Sequence, residues 1–175
     1  MNRRRGLWVL GIATAVLLLV LALLDLRMQD TGGPGIVAFE LAGSTDRATQ
    51  IMAEWGQAGQ DAARLSLWVD FLYLIAYGAF LSLAILAVRD AARLRGWDSY
   101  ARFGAAIAVL PIVAALCDAV EDVGLLLVLD GHGASRAPQA ATAFALLKFA
   151  ALTVALAYLL AGLVALARAR LRSTG

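Results

Sequence analysis

The sequence is poor in the residues that carry out most enzyme chemistry. It holds one cysteine, Cys117, and one histidine, His132, so an intrachain disulfide is excluded and no Cys/His cluster of the zinc-binding kind exists. No P-loop, HExxH helix, nucleophile elbow or dinucleotide fingerprint occurs either. Cys117 is predicted to be a buried small hydrophobe and His132 a solvated loop residue. The sequence therefore carries none of the common catalytic signatures.

Charged residues are also scarce, and apolar residues take their place. Only 16% of the 175 residues are charged, whereas 62% are hydrophobic and the mean hydropathy is +0.78. Soluble domains average about 45–50% apolar residues even when glycine is counted. The composition therefore predicts an integral membrane protein, and the length predicts a single compact domain.

Four apolar segments are long enough to cross the roughly 30 Å hydrocarbon core of a bilayer. They predict membrane spans at residues 7–26, 65–88, 103–129 and 140–167. The first span follows an arginine run and exceeds the roughly 7–15 apolar residues of a signal peptide, so we predict that it remains as an anchor. The predicted fold class is all-α, a four-helix transmembrane bundle that forms one membrane domain over residues 1–175.

The segment between the first two spans, residues 28–64, is predicted to form an external cap. Ser44 or Thr45 can cap a helix that begins near Asp46, since their hydroxyls accept hydrogen bonds from free amide groups. One face of that helix is apolar and consists of Ala48, Ile51, Met52 and Trp55. This pattern fits an external interfacial helix with Trp55 among the lipid headgroups, and it equally fits a helix packed on top of the bundle.

Several local signals modify this outline. Residues 36–41 fit either a short extended piece or a turn, and Gly56 permits a bend before the second span. Pro111 predicts a kink in the third span, because proline lacks a backbone donor and crowds the carbonyl of Ile107. In the fourth span, small residues predict a helix contact stripe formed by Ala157, Ala161 and Ala165.

The distribution of arginine predicts the orientation in the membrane. The N-terminus, the loop at residues 89–102 and the C-terminus hold ten arginines, whereas the two opposite loops hold four. Since arginine-rich loops stay in the cytoplasm, we predict a multi-pass inner-membrane protein with both termini and the 89–102 loop cytoplasmic. A basic loop with Trp97 and Tyr100 between two spans fits anionic lipid better than nucleic acid. Membrane lipids are therefore the expected partners, and nucleic acids are not.

Charged residues inside the spans mark a candidate site. Asp118, Glu121 and Asp122 share one helix face, because at about 100° per residue they fall within an arc of about 100°. A charge at mid-bilayer costs about 2.5–3.5 kcal/mol on insertion scales, so such groups need partners, water or protonation. Helical rise places charged residues of all four spans, Asp25 included, in one outer-leaflet layer. The predicted ligand-binding residues are Asp70, Tyr73, Asp118, Glu121, Asp122 and Lys148.

The layer has two non-catalytic interpretations. It can be a structural ion-pair network, in which Lys148 pairs principally with Asp118 or else with Asp122, while Asp25 and Glu121 extend towards the outer surface. It can also be a pocket for a cationic or polar ligand, such as a lipid headgroup, roofed by the external cap. Both remain open on the sequence alone.

The catalytic interpretation is an enzyme site with paired carboxylates. Asp70, Asp118 and Glu121 are then the alternative metal ligands, for Mg²⁺ or Ca²⁺ rather than Zn²⁺, because carboxylates without histidine suit hard cations. Proton or cation translocation is disfavoured, since the inner halves of the spans offer no ionisable relay. We expect a membrane protein whose polar pocket binds a lipid, a small polar ligand or a partner helix, without a cofactor. A membrane enzyme acting on a lipid-borne substrate is the alternative.

One pattern in the second half of the chain has a counterpart elsewhere. The stretch Asp118-x-x-Glu121-Asp122, followed by Lys148-Phe149 on the next span, resembles a pattern in small four-helix bacterial membrane proteins. The resemblance covers only that half. It implies the four-span topology and brings no activity with it.

Overall fold

Seven helices make up the described part of the chain, residues 3–131 and 136–173 of a computed structural model, and no strand occurs there. In chain order they are α1 (Arg3–Gln29), α2 (Ile36–Glu40), α3 (Thr45–Arg93), α4 (Asp98–Ala101), α5 (Gly104–Ile107), α6 (Leu110–Leu129) and α7 (Ala137–Ser173). Helices α1, α3 and α7, and the stretch Asp98–Leu129 that holds α4 to α6, are long and apolar enough to cross a membrane. The all-helical class is confirmed, with one such segment around each predicted span.

Helix α3 contains both the predicted cap helix and the predicted second span. It begins after Ser44, whose hydroxyl accepts a hydrogen bond from the Arg47 amide at 3.2 Å. The prediction that Ser44 is the N-cap residue of this helix is therefore confirmed. Gly56, inside α3, adopts φ 58° and ψ −165°, a conformation that residues with side chains rarely take. The predicted bend is therefore present at Gly56.

The third span is interrupted just before Pro111, where the kink was predicted. Helix α5 ends at Ile107 and α6 begins at Leu110, with Pro111 in its first turn. Proline has no amide hydrogen to offer the preceding turn, and its fixed φ suits the start of a helix. The chain thus ends one helix and begins another, and α6 then continues past residues 118–122.

Cys117 on α6 is half-buried, so the prediction that it is buried is wrong.

The long helices pack side by side, α1 on α3, α3 on α6 and α6 on α7, and α3 also contacts α7. Four small residues of α7 are buried at these contacts: Ala141, Ala145, Ala155 and Gly162. The predicted stripe is wrong, since Ala157 and Ala161 are exposed and Ala165 is half-buried. Alanine is so frequent in α7 that several faces carry it, and the face that packs inward is the one with Lys148.

The cap packs closely on one end of the long helices. Ile51 and Trp55 are fully buried in an apolar cluster that includes Met28 and Phe39. The indole Nε1 of Trp55 donates a hydrogen bond to the carbonyl of Pro34 at 2.6 Å. Because the apolar face of this helix meets protein, its burial favours the packed alternative over a helix lying among lipid headgroups.

Candidate functional site

Lys148, the one lysine of the sequence, lies at the centre of the site. Its Nζ lies 2.6 Å from Asp118 Oδ1, 2.9 Å from Glu121 Oε2 and 3.4 Å from Glu40 Oε2. The predicted pairing with Asp118 is therefore confirmed, whereas Asp122 is not among the ion-pair partners that the described residues give Lys148. A single ammonium group thus joins α7 to α6 and to α2.

Helix α6 supplies three carboxyl groups that are all removed from solvent. Asp118, Glu121 and Asp122 are 4%, 0% and 2% exposed. The prediction that Glu121 extends towards the outer surface is wrong, because its face of α6 packs against α7 and Lys148 lies beside it. Its Oε2 lies within ion-pair distance of the ammonium, yet neither Glu121 oxygen has a hydrogen bond of good geometry within the described residues.

Asp70, on α3, faces the opposite side of the α6 carboxyl groups. It comes within hydrogen-bonding reach of Asp122, and oxygens of Asp70, Asp118 and Asp122 all lie within 4.8 Å of one another. Within the described residues, Asp122 rather than Glu121 thus lies with Asp70 and Asp118, the other two members of the alternative metal set. Neighbouring residues point about 100° apart on a helix, so Glu121 meets α7 while Asp122 meets α3.

Two tyrosines of α3 lie on the same face as Asp70. The hydroxyl of Tyr77 donates a hydrogen bond to Asp118 Oδ2 at 3.0 Å, and so occupies the oxygen that Lys148 leaves free. The ring of Tyr73 packs on that of Tyr77, with 5.1 Å between their centroids. Asp118 is thereby held from both α3 and α7.

Glu40 is the site residue that the sequence analysis missed. Residues 36–40 form the short helix α2, neither extended nor a simple turn, and Glu40 at its end is 12% exposed in its side chain. Thr142 of α7 donates a hydrogen bond to the Glu40 carbonyl at 2.8 Å and accepts one from the Gly43 amide at 3.1 Å. The available signal was one acid in an otherwise apolar stretch, Ile36-Val-Ala-Phe-Glu40.

Asp25 does not extend towards the surface as predicted, and it does not join the ion pairs around Lys148. Its Oδ1 accepts a hydrogen bond from the Ile36 amide at 2.6 Å, and its Oδ2 accepts one from Gln29 Nε2 at 2.6 Å. Asp25 therefore fixes the start of α2 and contributes to the site only through that helix.

His132, expected to be a solvated loop residue, lies outside the described residues.

A cavity of about 440 Å³ opens beside these groups, between α1, α2, α3 and α7, with Asp118 of α6 also in its lining. Its polar end, nearest α2, includes Glu40, Asp70, Tyr73, Asp118 and Lys148. Its other end is lined mainly by apolar side chains: Leu18, Leu21, Phe80, Leu81, Leu152 and Leu156. The volume falls in the range of roughly 300–1,000 Å³ that is usual for small-molecule sites.

Charge is unbalanced around the polar end. Three carboxyl groups lie within ion-pair distance of the one ammonium group, and two more, those of Asp70 and Asp122, lie beside Asp118. These five groups are here called the carboxylate cluster: Glu40, Asp70, Asp118, Glu121 and Asp122. Like charges so close together in a low-dielectric region repel strongly unless protons or further cations neutralise them. Chemically, the arrangement can bind a cation, hold protons, or do both.

The chain matches no protein-family model, and the comparisons with curated proteins and with solved structures found no similar protein.

Proposed function

We propose that the chain is a four-helix transmembrane bundle of the inner membrane whose outer-leaflet pocket binds the cationic or polar head of a lipid or other small amphiphile. In this proposal both termini and the 89–102 loop are cytoplasmic, and α2 with the start of α3 caps the bundle outside. The distribution of arginine supports that orientation. The ligand-binding residues are the carboxylate cluster, Tyr73 and Lys148.

The observation that carries the proposal is the excess of carboxyl groups at one end of a cavity whose other end is apolar. Lys148 neutralises one charge of the carboxylate cluster, and a carboxyl pair such as Asp70 and Asp122 can share a proton. A ligand with a positive head supplies the remaining countercharge, and its apolar part suits the leucine-lined end. A purely structural ion-pair network does not call for a cavity of this size.

The side of the cavity indicates how such a ligand enters. Four of its lining residues are also exposed on the outside of the protein: Leu18, Val37, Phe149 and Leu156. They belong to α1, α2 and α7, and in a membrane this surface faces hydrocarbon rather than water. Entry is therefore sideways from the bilayer, beneath α2.

The test uses the full chain in phospholipid nanodiscs and three decyl amphiphiles: decylammonium, decyl sulfate and decyl maltoside. A ligand that binds only the folded state stabilises it by RT ln(1 + [L]/Kd), so the thermal midpoint rises with the logarithm of concentration over Kd. We expect decylammonium to stabilise the protein most, and Asp70→Asn and Glu40→Gln to weaken its effect. The matched controls, Asp61→Asn and Glu54→Gln, remove exposed carboxylates outside the site, and we expect both to retain the stabilising effect of decylammonium.

Equal stabilisation by all three amphiphiles, or a cationic effect that survives both site variants, contradicts the proposal. The alternative of a partner helix supplies the cation from a lysine or arginine side chain of another span. In that case the isolated chain responds specifically to none of the three.

A membrane enzyme acting on a lipid-borne substrate is the second candidate. The specific observation in its favour is that oxygens of Asp70, Asp118 and Asp122 lie within 4.8 Å of one another, a spacing suited to a divalent cation. Against it, Lys148 already lies 2.6 Å from Asp118 and repels a second cation at that oxygen. Stabilisation by Mg²⁺, Ca²⁺ or Mn²⁺ that Asp122→Asn abolishes would favour the enzyme.

A further inference from the structure

The carboxylate cluster has fewer hydrogen-bond donors than its oxygens need. Both Glu121 oxygens and Oδ2 of Asp122 are buried without a hydrogen-bond partner in the part of the chain that the structure describes. An ionised carboxylate accepts about four hydrogen bonds, and a buried acceptor that lacks them destabilises the protein. Asp122 is 2% exposed and does not line the cavity itself, but its oxygens lie within 4.8 Å of those of Asp70 and Asp118, which do. The shortage of donors therefore lies directly behind the carboxyl groups that line the cavity.

Within the described residues, the donors seen at these carboxylates belong to Lys148 and Tyr77. The ammonium group of Lys148 donates hydrogen bonds to Asp118 and Glu40 and lies within ion-pair distance of Glu121. The hydroxyl of Tyr77 is directed at the second oxygen of Asp118. Asp70 lines the cavity, and the hydrogen-bond partner that the described residues show for it is another carboxyl group, that of Asp122.

We propose that the pocket selects amphiphiles whose head is a primary ammonium group and discriminates against quaternary ammonium heads. This inference rests on the proposed function and narrows its ligand class. A primary ammonium carries three N–H donors, whereas a trimethylammonium group has the same charge and none. Hydrogen bonds from N–H groups to carboxylates are short and roughly twice as strong as those between neutral groups. The head is placed between Asp70 and Glu40, which line the polar end from α3 and α2.

The aromatic residues of the polar end argue in the same direction. Quaternary ammonium groups are recognised by the faces of several aromatic rings arranged as a cage. Here Tyr73 and Tyr77 pack on each other, and the ring of Phe149 lies 5.0 Å from Lys148 Nζ. Each of these rings thus already contacts a protein group, whereas the carboxyl groups of the polar end outnumber the cations beside them.

Two sources could supply a primary ammonium group, a lipid headgroup or a small soluble amine. The apolar end of the cavity, lined by Phe80, Leu152 and Leu156, favours a head that carries an apolar chain. A soluble amine would leave that end without a partner. The experiment therefore compares both sources.

The experiment measures Kd from thermal midpoints of the full chain in nanodiscs made of phosphatidylcholine and phosphatidylglycerol, which contain no primary amine. The probes are decylammonium, decyltrimethylammonium and ethylammonium. We expect decylammonium to bind roughly tenfold or more tightly than decyltrimethylammonium, which is the range for hydrogen bonds to charged groups. Because the two decyl probes have equal chain lengths, they partition similarly into the bilayer. The ratio of their Kd values therefore measures the preference for one head group over the other.

The variants test whether the carboxyl groups that line the cavity determine the selectivity for the ligand's head group. Asp70→Asn should remove most of the preference for the primary ammonium, and Glu40→Gln provides a second variant if Asp70→Asn does not fold. Asp61→Asn, on the exposed side of α3, should keep the preference of the wild type.

Each outcome decides a different claim. Equal affinity of the two decyl probes overturns the primary-ammonium inference and leaves the proposed cationic pocket standing. Binding of neither probe overturns both. If ethylammonium binds as tightly as decylammonium, the preference for a primary ammonium head is supported and the need for an apolar chain on the ligand is overturned.

Discussion

Asp25 accepts a hydrogen bond from the backbone amide of Ile36 at 2.6 Å, and this bond ties the first turn of α2 to the end of α1. Helix α2 has only five residues, too few to be stable by itself. At its other end Glu40 reaches Lys148 across 108 residues of sequence. An acid on α1 thus positions an acid of the site without touching the ligand cavity.

Asp25→Ala should therefore loosen α2 and weaken the Glu40 contact. Loss of a capping carboxylate costs about 0.5–2 kcal/mol, which is enough to make so short a helix open frequently. We expect faster amide hydrogen exchange over residues 36–40 and an affinity for decylammonium reduced about as much as by Glu40→Gln. Asp30→Ala, an exposed acid just beyond α1, is the control. Unchanged exchange in α2 would show that Asp25 does not hold it.

The cap should depend on its buried aromatic and aliphatic side chains. Trp55→Ala with Ile51→Ala removes two fully buried side chains from the cluster around Met28 and Phe39, at about 2–5 kcal/mol each. We expect residues 40–60 to become sensitive to protease in membranes, while the four spans persist because each is apolar over its own length. Thr49→Ala, on the exposed face, is the control. A cap that stays resistant would mean that another surface holds it.

The topology can be tested by cysteine labelling in a Cys117→Ala background. A cysteine at the exposed Thr49 should react with an impermeant thiol reagent added outside intact cells. One at the exposed Ser99, in the 89–102 loop, should react only after permeabilisation. The reverse pattern would invert the orientation and place the pocket in the inner leaflet.

The sequence was sufficient for the large elements and for most of the charged groups. Apolar length alone predicts the four long helices, because membrane thickness sets a minimum that few other segments meet. The pairing of Lys148 with Asp118 followed from depth, since Lys148 is the only cation in the apolar part of a span. Ser44 and Gly56 were predictable because a cap and a positive φ each require particular side chains.

Other features depend on which way a helix faces, and the sequence does not specify that. Glu121 and Asp122 are adjacent in sequence but meet different helices, so the sequence offered Asp122 as the alternative partner of Lys148, whereas the structure places Glu121 there. Glu40 lies on a five-residue helix, too short to show a period, and joins the site only through tertiary contacts. The alanines of α7 recur on several faces, so a small-residue pattern alone could not identify the buried one.

Lys148→Met should be strongly destabilising. The ammonium group lies within ion-pair distance of three carboxylates, and its removal leaves them buried together without a countercharge. Loss of one partner of a buried pair costs roughly 3–5 kcal/mol. Asp118→Asn alone should cost less and should partly rescue Lys148→Met, because the double variant buries one charge fewer. The measurement is a double-mutant cycle on thermal stability in nanodiscs.

A second cycle with Glu121→Gln separates the two buried partners of Lys148. The Glu121 contact, at 2.9 Å, is an ion pair without good hydrogen-bond geometry. The Asp118 contact, at 2.6 Å, is both an ion pair and a hydrogen bond. We therefore expect coupling in both cycles and the larger coupling energy for Asp118. Asp61→Asn should show none, since it lies on the surface and pairs with Arg64. Additive effects in both cycles would mean that Lys148 is neutralised by something other than these two carboxylates, and the site would then need a different account of its charge.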